Sequence, residues 1–282
     1  MHIFIKIAIF LYLAFLSLVT IQAEPSLNLT GRLDIAGGTA HLPIIEIAAK
    51  KFMLRHPKTI ISVTGGGSGV GLKKLSLGLA DIANTGRSIS AAEMKKYKVE
   101  TQILAIDAIV IGVHKKSPLK KLSSDEIRQI FSLQPSKQIL TATKLRNLRP
   151  LIREYSSGTR QVFRSYFTKA MELAPQLTLA RQIVTSNAAM VRSISLDPKG
   201  IGYFSFGFLN PKVKAIAIDG IYPTKENICS DKYKLKRKLY MHINKDSKNK
   251  LVKAFIDYLQ EKEMHTTIES LGFLPNTETK SP

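Results

Sequence analysis

The sequence predicts an α/β protein in which strands and helices alternate around parallel sheets. Short β-branched runs end in glycine-rich turns, apolar residues then recur at helical spacing, and this order repeats along the chain. Strands that alternate with helices place the helices on both faces of a parallel sheet. The 282 residues are 44% hydrophobic and 22% charged, which is typical of a globular chain long enough for two lobes.

The first half of the chain shows this alternation clearly. Strands are predicted at 33–36, 60–63 and 81–83, and the first two end in glycine-rich turns. The predicted helices that follow those two turns have these apolar positions: Leu42, Ile45, Ala49 and Phe52, then Leu72, Leu75 and Leu79. The β-branched run at 103–113 has no helical polarity, so we predict a buried strand or a strand that crosses between lobes.

The second half repeats the alternation. A helix is predicted at 122–131, and an extended segment at 150–154 leads into another helix through the polar turn 156–159. The expected inward face of that helix consists of Val162, Phe163, Tyr166, Phe167, Ala170 and Met171. The remaining predicted elements are strands at 201–208, 213–218 and 238–243 and a last helix at 248–262.

Residues 1–23 are predicted to be a targeting segment rather than part of the fold. An apolar run of 13 residues from Ile7 to Val19 follows a lysine, and Ala23 supplies a small residue at the expected cleavage point. A membrane anchor needs roughly 20 apolar residues, so a cleaved signal peptide is favoured over an uncleaved anchor. No cysteine lies near the cut, so we expect an exported, periplasmic protein that starts near Glu24 and is not a lipoprotein.

Charge and residue usage narrow the classes of function. The chain has 42 Lys and Arg against 21 Asp and Glu, and this net charge of +21 points to an anionic partner or surface. The single Cys229 excludes an internal disulfide and a cysteine-based zinc site, and the six histidines show no metal-ligand spacing. The sequence has no P-loop, dinucleotide-binding or nucleophile-elbow motif, so we expect no cofactor and no enzymatic activity.

Three turns rich in glycine and hydroxyl groups stand where a predicted strand leads into a helix. They are the turns at 37–39, 65–71 and 156–159. Any one of them is adequately explained by ordinary helix capping, but together they place several helix N-termini at the carboxyl ends of strands, where anions bind. Arg153 precedes the third turn and Arg87 follows the third strand, and the planar fork of arginine suits a tetrahedral oxyanion.

Five segments of the sequence are similar to a known family. They are AGGTAHLP at 36–43, VTGGGSGVGLKKL at 63–75, ADIANTGRSIS at 80–90, REYSSGTRQVF at 153–163 and GIGYFSFG at 200–207. On these segments the chain resembles the phosphate-binding protein family of bacterial ABC importers, within the type II periplasmic solute-binding proteins. The spacing of Arg153, Ser157, Gly158 and Thr159 is the most specific part of the resemblance.

The resemblance implies a fold and a binding site. The fold would have two α/β lobes joined by two crossover strands, with the ligand in the cleft between them. Lobe 1 would comprise residues 24–112 and 235–282, and lobe 2 would comprise residues 113–234. With Arg87 added from its position after the third strand, the expected phosphate-binding residues are Thr39, Ala40, Ser68, Arg87, Arg153, Ser157, Gly158 and Thr159.

The expected function is capture of inorganic phosphate and its delivery to the membrane permease of an ABC transporter. We expect a monomer that binds no nucleic acid. The sequence departs from the family at one position that affects the choice of ligand. Many members carry an aspartate after the third strand, which accepts the proton of a hydrogen phosphate, but this sequence reads Asn84-Thr85-Gly86-Arg87 there. Sulfate, molybdate or another tetrahedral oxyanion is therefore an alternative ligand. The lysines of the run 232–238 leave a second alternative, a basic surface protein that binds polyanions.

Overall fold

The computed structural model describes residues 29–131, 145, 147–167 and 182–276. The predicted signal segment at 1–23 lies outside the described residues, as do Ala170 and Met171 at the end of one predicted helix face. None of the described helices is both long enough and apolar enough to cross a bilayer.

The described residues form strands and helices in the predicted alternation. The strands are β1 (Gly31–Gly37), β2 (Thr59–Gly66), β3 (Ile82–Thr85), β4 (Val99–His114), β5 (Lys121–Leu122), β6 (Arg149–Arg153), β7 (Gln182–Val184), β8 (Gly200–Ser205), β9 (Val213–Ala215), β10 (Ala217–Ile218), β11 (Lys236–Asn244) and β12 (Leu274–Pro275). The α-helices are α1 (Leu42–Arg55), α2 (Ser68–Ser76), α3 (Ala91–Tyr97), α4 (Ser124–Phe131), α5 (Gly158–Phe167), α6 (Asn187–Leu196), α7 (Lys225–Cys229), α8 (Lys250–Leu259) and α9 (Lys262–Ser270).

Ten of the strands form one sheet that runs through the whole molecule. Its order is β2-β1-β3-β11-β4-β8-β6-β7, with β9 and β12 also paired to β4. The pairs β1–β2, β1–β3, β6–β7 and β6–β8 are parallel, as the sequence predicts. The sheet is mixed at its centre, because β4 carries the chain into the second half and β11 brings it back, so these two strands are antiparallel to each other.

The hydrophobic core changes from one cluster to another part-way along β4. The first cluster includes Leu104 and Ala105 and packs α1, α8 and α9 against β1 and β11. The second includes Ala108 and Ile109 and packs α4 and α5 against β8. Because β4 contributes to both clusters, it is the first crossover strand, and the run predicted at 103–113 is part of it.

We propose two lobes with the three-segment arrangement that the sequence predicts. The predicted lobe boundaries fall after residues 112 and 234. We place the two crossings slightly differently, between Ala105 and Ala108 in β4 and between Leu235 and Leu239 at the start of β11, because membership of the two core clusters changes there.

Several elements differ from their prediction. The strand predicted at 201–208 ends at Ser205 and continues as a 3₁₀ helix, Phe206–Phe208. The last helix, predicted at 248–262, corresponds to α8, and a further helix that was not predicted, α9, follows after the chain becomes extended at Glu261. Helix α3 was not predicted, because it buries no residue and so has no apolar periodicity; its remaining sequence signal is the capping box of Ser90 and Glu93.

Buried His242 couples the stability of the first half of the sheet to pH. Its Nε2 lies 2.8 Å from Thr85 Oγ1 and its Nδ1 lies 2.9 Å from Thr101 Oγ1. Burial, with a smaller effect from the charge of Arg87, lowers the pKa of His242 from 6.5 to about 4. The unfolded chain therefore binds an extra proton between these two pH values, so the stabilisation is complete above pH 6.5 and is lost as the pH falls toward 4.

We expect the free energy of unfolding to fall less steeply with acid when His242 is replaced by Gln. The loss of one titrating group removes up to about 1.4 kcal/mol per pH unit from the slope between the two pKa values. Urea unfolding of the wild type and of His242→Gln at several pH values from neutral to mildly acidic measures this. Equal slopes in the two proteins would contradict the assignment.

Candidate functional site

A small cavity lies between the two halves of the sheet. Its walls come from the turn before α1, the start of α2, the loop after β3, the end of β6, the start of α5 and the start of β11. The lining residues are Gly38, Thr39, Ala40, Gly67, Ser68, Gly86, Arg153, Ser157, Gly158, Thr159 and Arg237. Of the eight residues predicted to form a binding site, the structure brings seven together here, all except Arg87.

The cavity lies at the N-terminal ends of helices from both halves of the molecule. Helix α2 begins at Ser68 directly after β2, and helix α5 begins at Gly158 shortly after β6. The first turn of a helix has backbone N–H groups without helical partners, and the helix dipole is positive there. Two such ends that face one cavity from opposite sides make a site suited to an anion.

Two glycines allow the halves to approach this closely. Gly67 has a φ of 90°, and a Cβ atom added to it would lie 2.8 Å from the carbonyl oxygen of Ser156. A Cβ atom on Gly158 would lie 2.3 Å from Ser68 Oγ. Both distances are shorter than real Cβ contacts, so a larger residue at either position would push the lobes apart.

Two hydroxyl groups from the first half face the cavity and already accept hydrogen bonds from protein donors. Thr39 Oγ1 accepts from the backbone N of Asn187 at 3.3 Å and from its Nδ2 at 3.1 Å. Ser68 Oγ accepts from the backbone N of Gly86 at 3.1 Å. A hydroxyl group has one hydrogen of its own, so each of these groups can still donate that hydrogen into the cavity.

The two hydroxyl groups from the second half also accept hydrogen bonds from protein donors. Ser157 Oγ accepts from the backbone N of Arg160 at 3.2 Å, and Thr159 Oγ1 accepts from Nη1 of Arg237 at 3.0 Å. All four hydroxyl-bearing residues are buried. Each oxygen is thus held by a protein donor, and four hydroxyl hydrogens remain available to an occupant of the cavity that these residues line.

Arg153 supplies a guanidinium group that the protein satisfies only in part. The residue is 1% exposed, and its Nε and Nη2 each donate to the carboxylate of Glu154 at 2.8 Å. Its Nη1 is buried and has no hydrogen-bond partner among the described residues. A buried charged donor without a partner is costly, by about 1–3 kcal/mol or more, so this atom indicates an anion-binding role for the cavity.

Arg153 is held in place by the core of the second half. Its backbone N donates to the hydroxyl of Tyr203 at 3.2 Å, and burial raises the pKa of that hydroxyl to about 12, so Tyr203 stays neutral. The ring of Tyr203 stacks on Phe163 of α5, with centroids 3.9 Å apart. The end of β6 and the first turn of α5 are therefore tied to one aromatic cluster.

Arg237 lines the cavity, and the sequence analysis did not select it. Its Nε and Nη2 donate to Asp107 Oδ2 at 3.0 and 2.8 Å. Burial raises the pKa of Asp107 and lowers that of Arg237, while the charge of each partner opposes the shift of the other. A signal was present in the sequence, because Arg237 stands in the buried phase of β11, between Leu235 and Leu239.

Arg87, which the sequence analysis predicts as a ligand residue, is not among the residues that line the cavity. Its Nη1 and Nη2 donate to the carboxylate of Glu93 at 3.0 and 2.7 Å. This contact lowers the pKa of Glu93 to about 2. The carboxylate is only six residues away, in the first turn of α3, so the arginine turns toward that local partner.

The described cavity wall contains hydrogen-bond donors but no carboxylate. Gly86, the residue directly after β3, lines the cavity and has no side chain that could accept a proton. The carboxylates of Glu154 and Asp107 are each engaged by one arginine of the cavity. Among the residues that the structure describes, no group of three or more His, Cys, Asp or Glu side chains could hold a metal ion.

Comparison with known proteins gives a consistent family and fold. The model of the PBP superfamily domain matches residues 23–263. The phosphate-binding protein PstS of Bacillus subtilis (strain 168) is 31% identical over 258 residues, which cover 89% of this chain and 83% of that protein. The phosphate-binding protein PstS of Borreliella burgdorferi is 25% identical over 250 residues, 86% of this chain and 88% of that protein.

Two solved structures share the two-lobe fold. A candidate phosphate ABC transporter substrate-binding protein from Clostridium perfringens, with bound phosphate, superposes with a TM-score of 0.78 at 25% identity and covers 87% of this chain and 99% of its own. An ABC-type phosphate transport receptor from Vibrio cholerae gives a TM-score of 0.69 at 28% identity, with 86% and 99% covered. The two-lobe α/β architecture predicted from the sequence is confirmed by these likenesses.

Proposed function

The chain belongs to the phosphate-binding protein family of ABC importers, and on that premise we propose that it captures inorganic phosphate in the cavity between its lobes. The observation that carries the proposal is the buried Nη1 of Arg153, a charged donor without a partner among the described residues. A phosphate oxygen would satisfy it. The relatives named above are substrate-binding proteins for phosphate, which supports the same ligand.

We propose that seven of the predicted residues contact the anion. They contribute four hydroxyl donors, backbone N–H groups at two helix starts and one turn, and one guanidinium: Thr39, Ala40, Ser68, Arg153, Ser157, Gly158 and Thr159. The four hydroxyl oxygens are already held by protein donors, so binding requires little reorientation of these groups. Each donor would meet one of the four oxygens of a tetrahedral anion.

Contacts across the cleft support capture by lobe closure. Ser156 Oγ donates to the carbonyl of Gly66 at 3.0 Å, and the backbone N of Gly69 donates to the carbonyl of Ser156 at 3.2 Å. These bonds join the start of α2 in one lobe to the turn before α5 in the other. An anion held between the two lobes would favour this closed arrangement over an open one.

The wider role is proposed from the family. PstS-type proteins are extracellular or periplasmic solute-binding proteins, and we propose that this one is periplasmic, exported by a cleaved signal peptide at 1–23, and not a lipoprotein. It would deliver phosphate to an ABC permease as a monomer and bind no nucleic acid. We propose that it has no enzymatic activity, since the cavity wall formed by the described residues contains no histidine, cysteine or carboxylate to act as a general base.

A second ligand class is favoured by one observation. The wall of the cavity, as far as the structure describes it, contains no carboxylate that could accept the proton of a hydrogen phosphate. Fully ionised sulfate needs only donors, and the cavity supplies donors. We therefore propose phosphate as the ligand and sulfate or another tetrahedral oxyanion as the competitor that the site rejects poorly.

Replacing Arg153 by Gln should weaken phosphate binding by about ten- to a hundredfold. The change removes a charge-assisted contact worth roughly 1.5–3 kcal/mol. Isothermal titration calorimetry of the ligand-free protein against phosphate measures the loss.

Arg87→Gln is the matched control for this variant. Both arginines face a carboxylate nearby in sequence, Glu93 or Glu154, but only Arg153 lines the cavity. Arg87→Gln should change the phosphate affinity by less than about threefold, or ~0.7 kcal/mol. If Arg87→Gln loses phosphate and Arg153→Gln keeps it, the site is misplaced.

Phosphate affinity should stay flat or rise from pH 6 to pH 8. Over this range phosphate passes from singly to doubly charged, and a wall of donors favours the form with fewer protons. Competition by sulfate at fixed pH should show a preference for phosphate of less than about a thousandfold, or ~4 kcal/mol. A larger preference would reveal a proton acceptor outside the lining residues, of which the buried Asn84 amide oxygen is the first candidate.

A further inference from the structure

Arg237 stands at a point that both crossover strands and both lobes share. It lies in β11 directly opposite Asp107 of β4 in the antiparallel register, so the ion pair joins the two crossover strands. The side chain of Arg237 is 3% exposed and that of Asp107 is fully buried. Within a buried sheet centre, a pair of this kind costs desolvation energy that an apolar pair would avoid.

One nitrogen of Arg237 reaches both lobes. Its Nη1 donates to the carbonyl of Gly86, in the loop after β3 of the first half, at 3.2 Å. The same atom donates to Thr159 Oγ1, in the first turn of α5 of the second half, at 3.0 Å. Gly86 and Thr159 both line the cavity, as does Arg237 itself, so the guanidinium group is bonded to the cavity wall on both sides.

The far side of the guanidinium is fixed by a fully engaged carboxylate. Asp107 Oδ2 accepts from Nε and Nη2 of Arg237, and Asp107 Oδ1 accepts from Ser205 Oγ at 2.8 Å. These contacts, with the two from Nη1, use four of the five guanidinium hydrogens. One Nη2 hydrogen is not used by these four bonds, and Arg237 lines the cavity.

We propose that Arg237 is a second anion-binding arginine, which contacts the captured oxyanion directly from the crossover strand and is held for that purpose by Asp107. The inference rests on the proposed function and deepens it, because it adds a cationic ligand that the sequence motifs do not contain. It also explains why a buried ion pair is placed beside the cavity. The anion would then be bound by residues of both lobes and by one residue of a crossover strand.

The test separates a direct contact from a merely structural ion pair. Asp107→Asn keeps Arg237 and an amide oxygen that can still accept from it, so phosphate should bind at least about tenfold more tightly than in a double variant that also lacks Arg237. The double variant Asp107→Asn/Arg237→Gln keeps a neutral hydrogen-bonded pair in the same space. It should lose about ten- to a hundredfold in phosphate affinity, measured by calorimetry, while its urea unfolding stays cooperative.

Controls keep failure of this inference distinct from failure of the proposed function. Lys234→Gln, at an exposed lysine paired with Asp231 near the start of β11, should bind phosphate like the wild type. If Arg153→Gln loses phosphate but the Asp107/Arg237 double variant keeps it within about threefold, Arg237 is not a ligand and the proposed function stands. If Asp107→Asn and the double variant lose phosphate equally, the pair acts through structure alone, and the inference is also overturned.

A single variant tests the same inference in case the double variant does not fold. Arg237→Lys retains the charge beside Asp107 but loses the fork that reaches Gly86 and Thr159. It should fold and should bind phosphate at least about fivefold more weakly, or ~1 kcal/mol. Wild-type affinity in Arg237→Lys, with Arg153→Gln impaired, would overturn the assignment.

Discussion

Strand β4 constrains the whole molecule, because it is hydrogen-bonded into both halves of one sheet. It pairs with β11 and β12 in the first half and with β8 and β9 in the second. Its sixteen residues pass through both hydrophobic clusters. The cavity between the lobes exists because this continuous strand, with β11 beside it, brings the strand-to-helix turns of the two halves face to face.

The chemistry of the cavity follows from hydrogen-bond satisfaction. Thr39 Oγ1, Ser68 Oγ, Ser157 Oγ and Thr159 Oγ1 each accept from a protein donor, and this leaves their own hydrogens for the ligand. Each arginine of the cavity has its own carboxylate partner, so the wall carries little net charge. Attraction of the anion then depends on short-range donors and helix ends rather than on the +21 charge of the chain.

The net charge of +21 is therefore a property separate from the charge of the cavity. Several surface lysines form exposed ion pairs, such as Lys234 with Asp231 and Lys51 with Glu263, which are worth little because water screens them. Within the run 232–238, Arg237 points into the site while Lys234 and Lys236 pair with Asp231. Arg237, one member of what the sequence presents as a basic patch, is thus a buried residue that lines the cavity.

The sequence predicted what depends on local pattern and missed what depends on tertiary contact. The strand-to-helix pattern locates the turns that contain Thr39, Ser68 and Ser157, and the family resemblance selects these residues within the turns. Arg237 could not be placed by turn chemistry, since it reaches the cavity from a distant strand.

A local partner explains why Arg87 is absent from the cavity wall, because its side chain pairs with the carboxylate of Glu93 on a nearby helix without buried residues. Asn187 was not predicted because its partner is distant in sequence rather than nearby. It begins helix α6 in the other half of the molecule and meets Thr39 only across the cleft.

Titration of the ligand-free wild-type protein with phosphate, at low and at high sodium chloride, distinguishes binding in the cavity from binding to the lysine-rich surface. Donors buried by lobe closure are little screened by salt, so calorimetry should give one phosphate per chain and affinities that agree within about threefold, or ~0.7 kcal/mol. Several phosphates per chain, with an affinity that falls steeply with salt, would instead identify the lysine-rich surface as the binder and contradict the site described above.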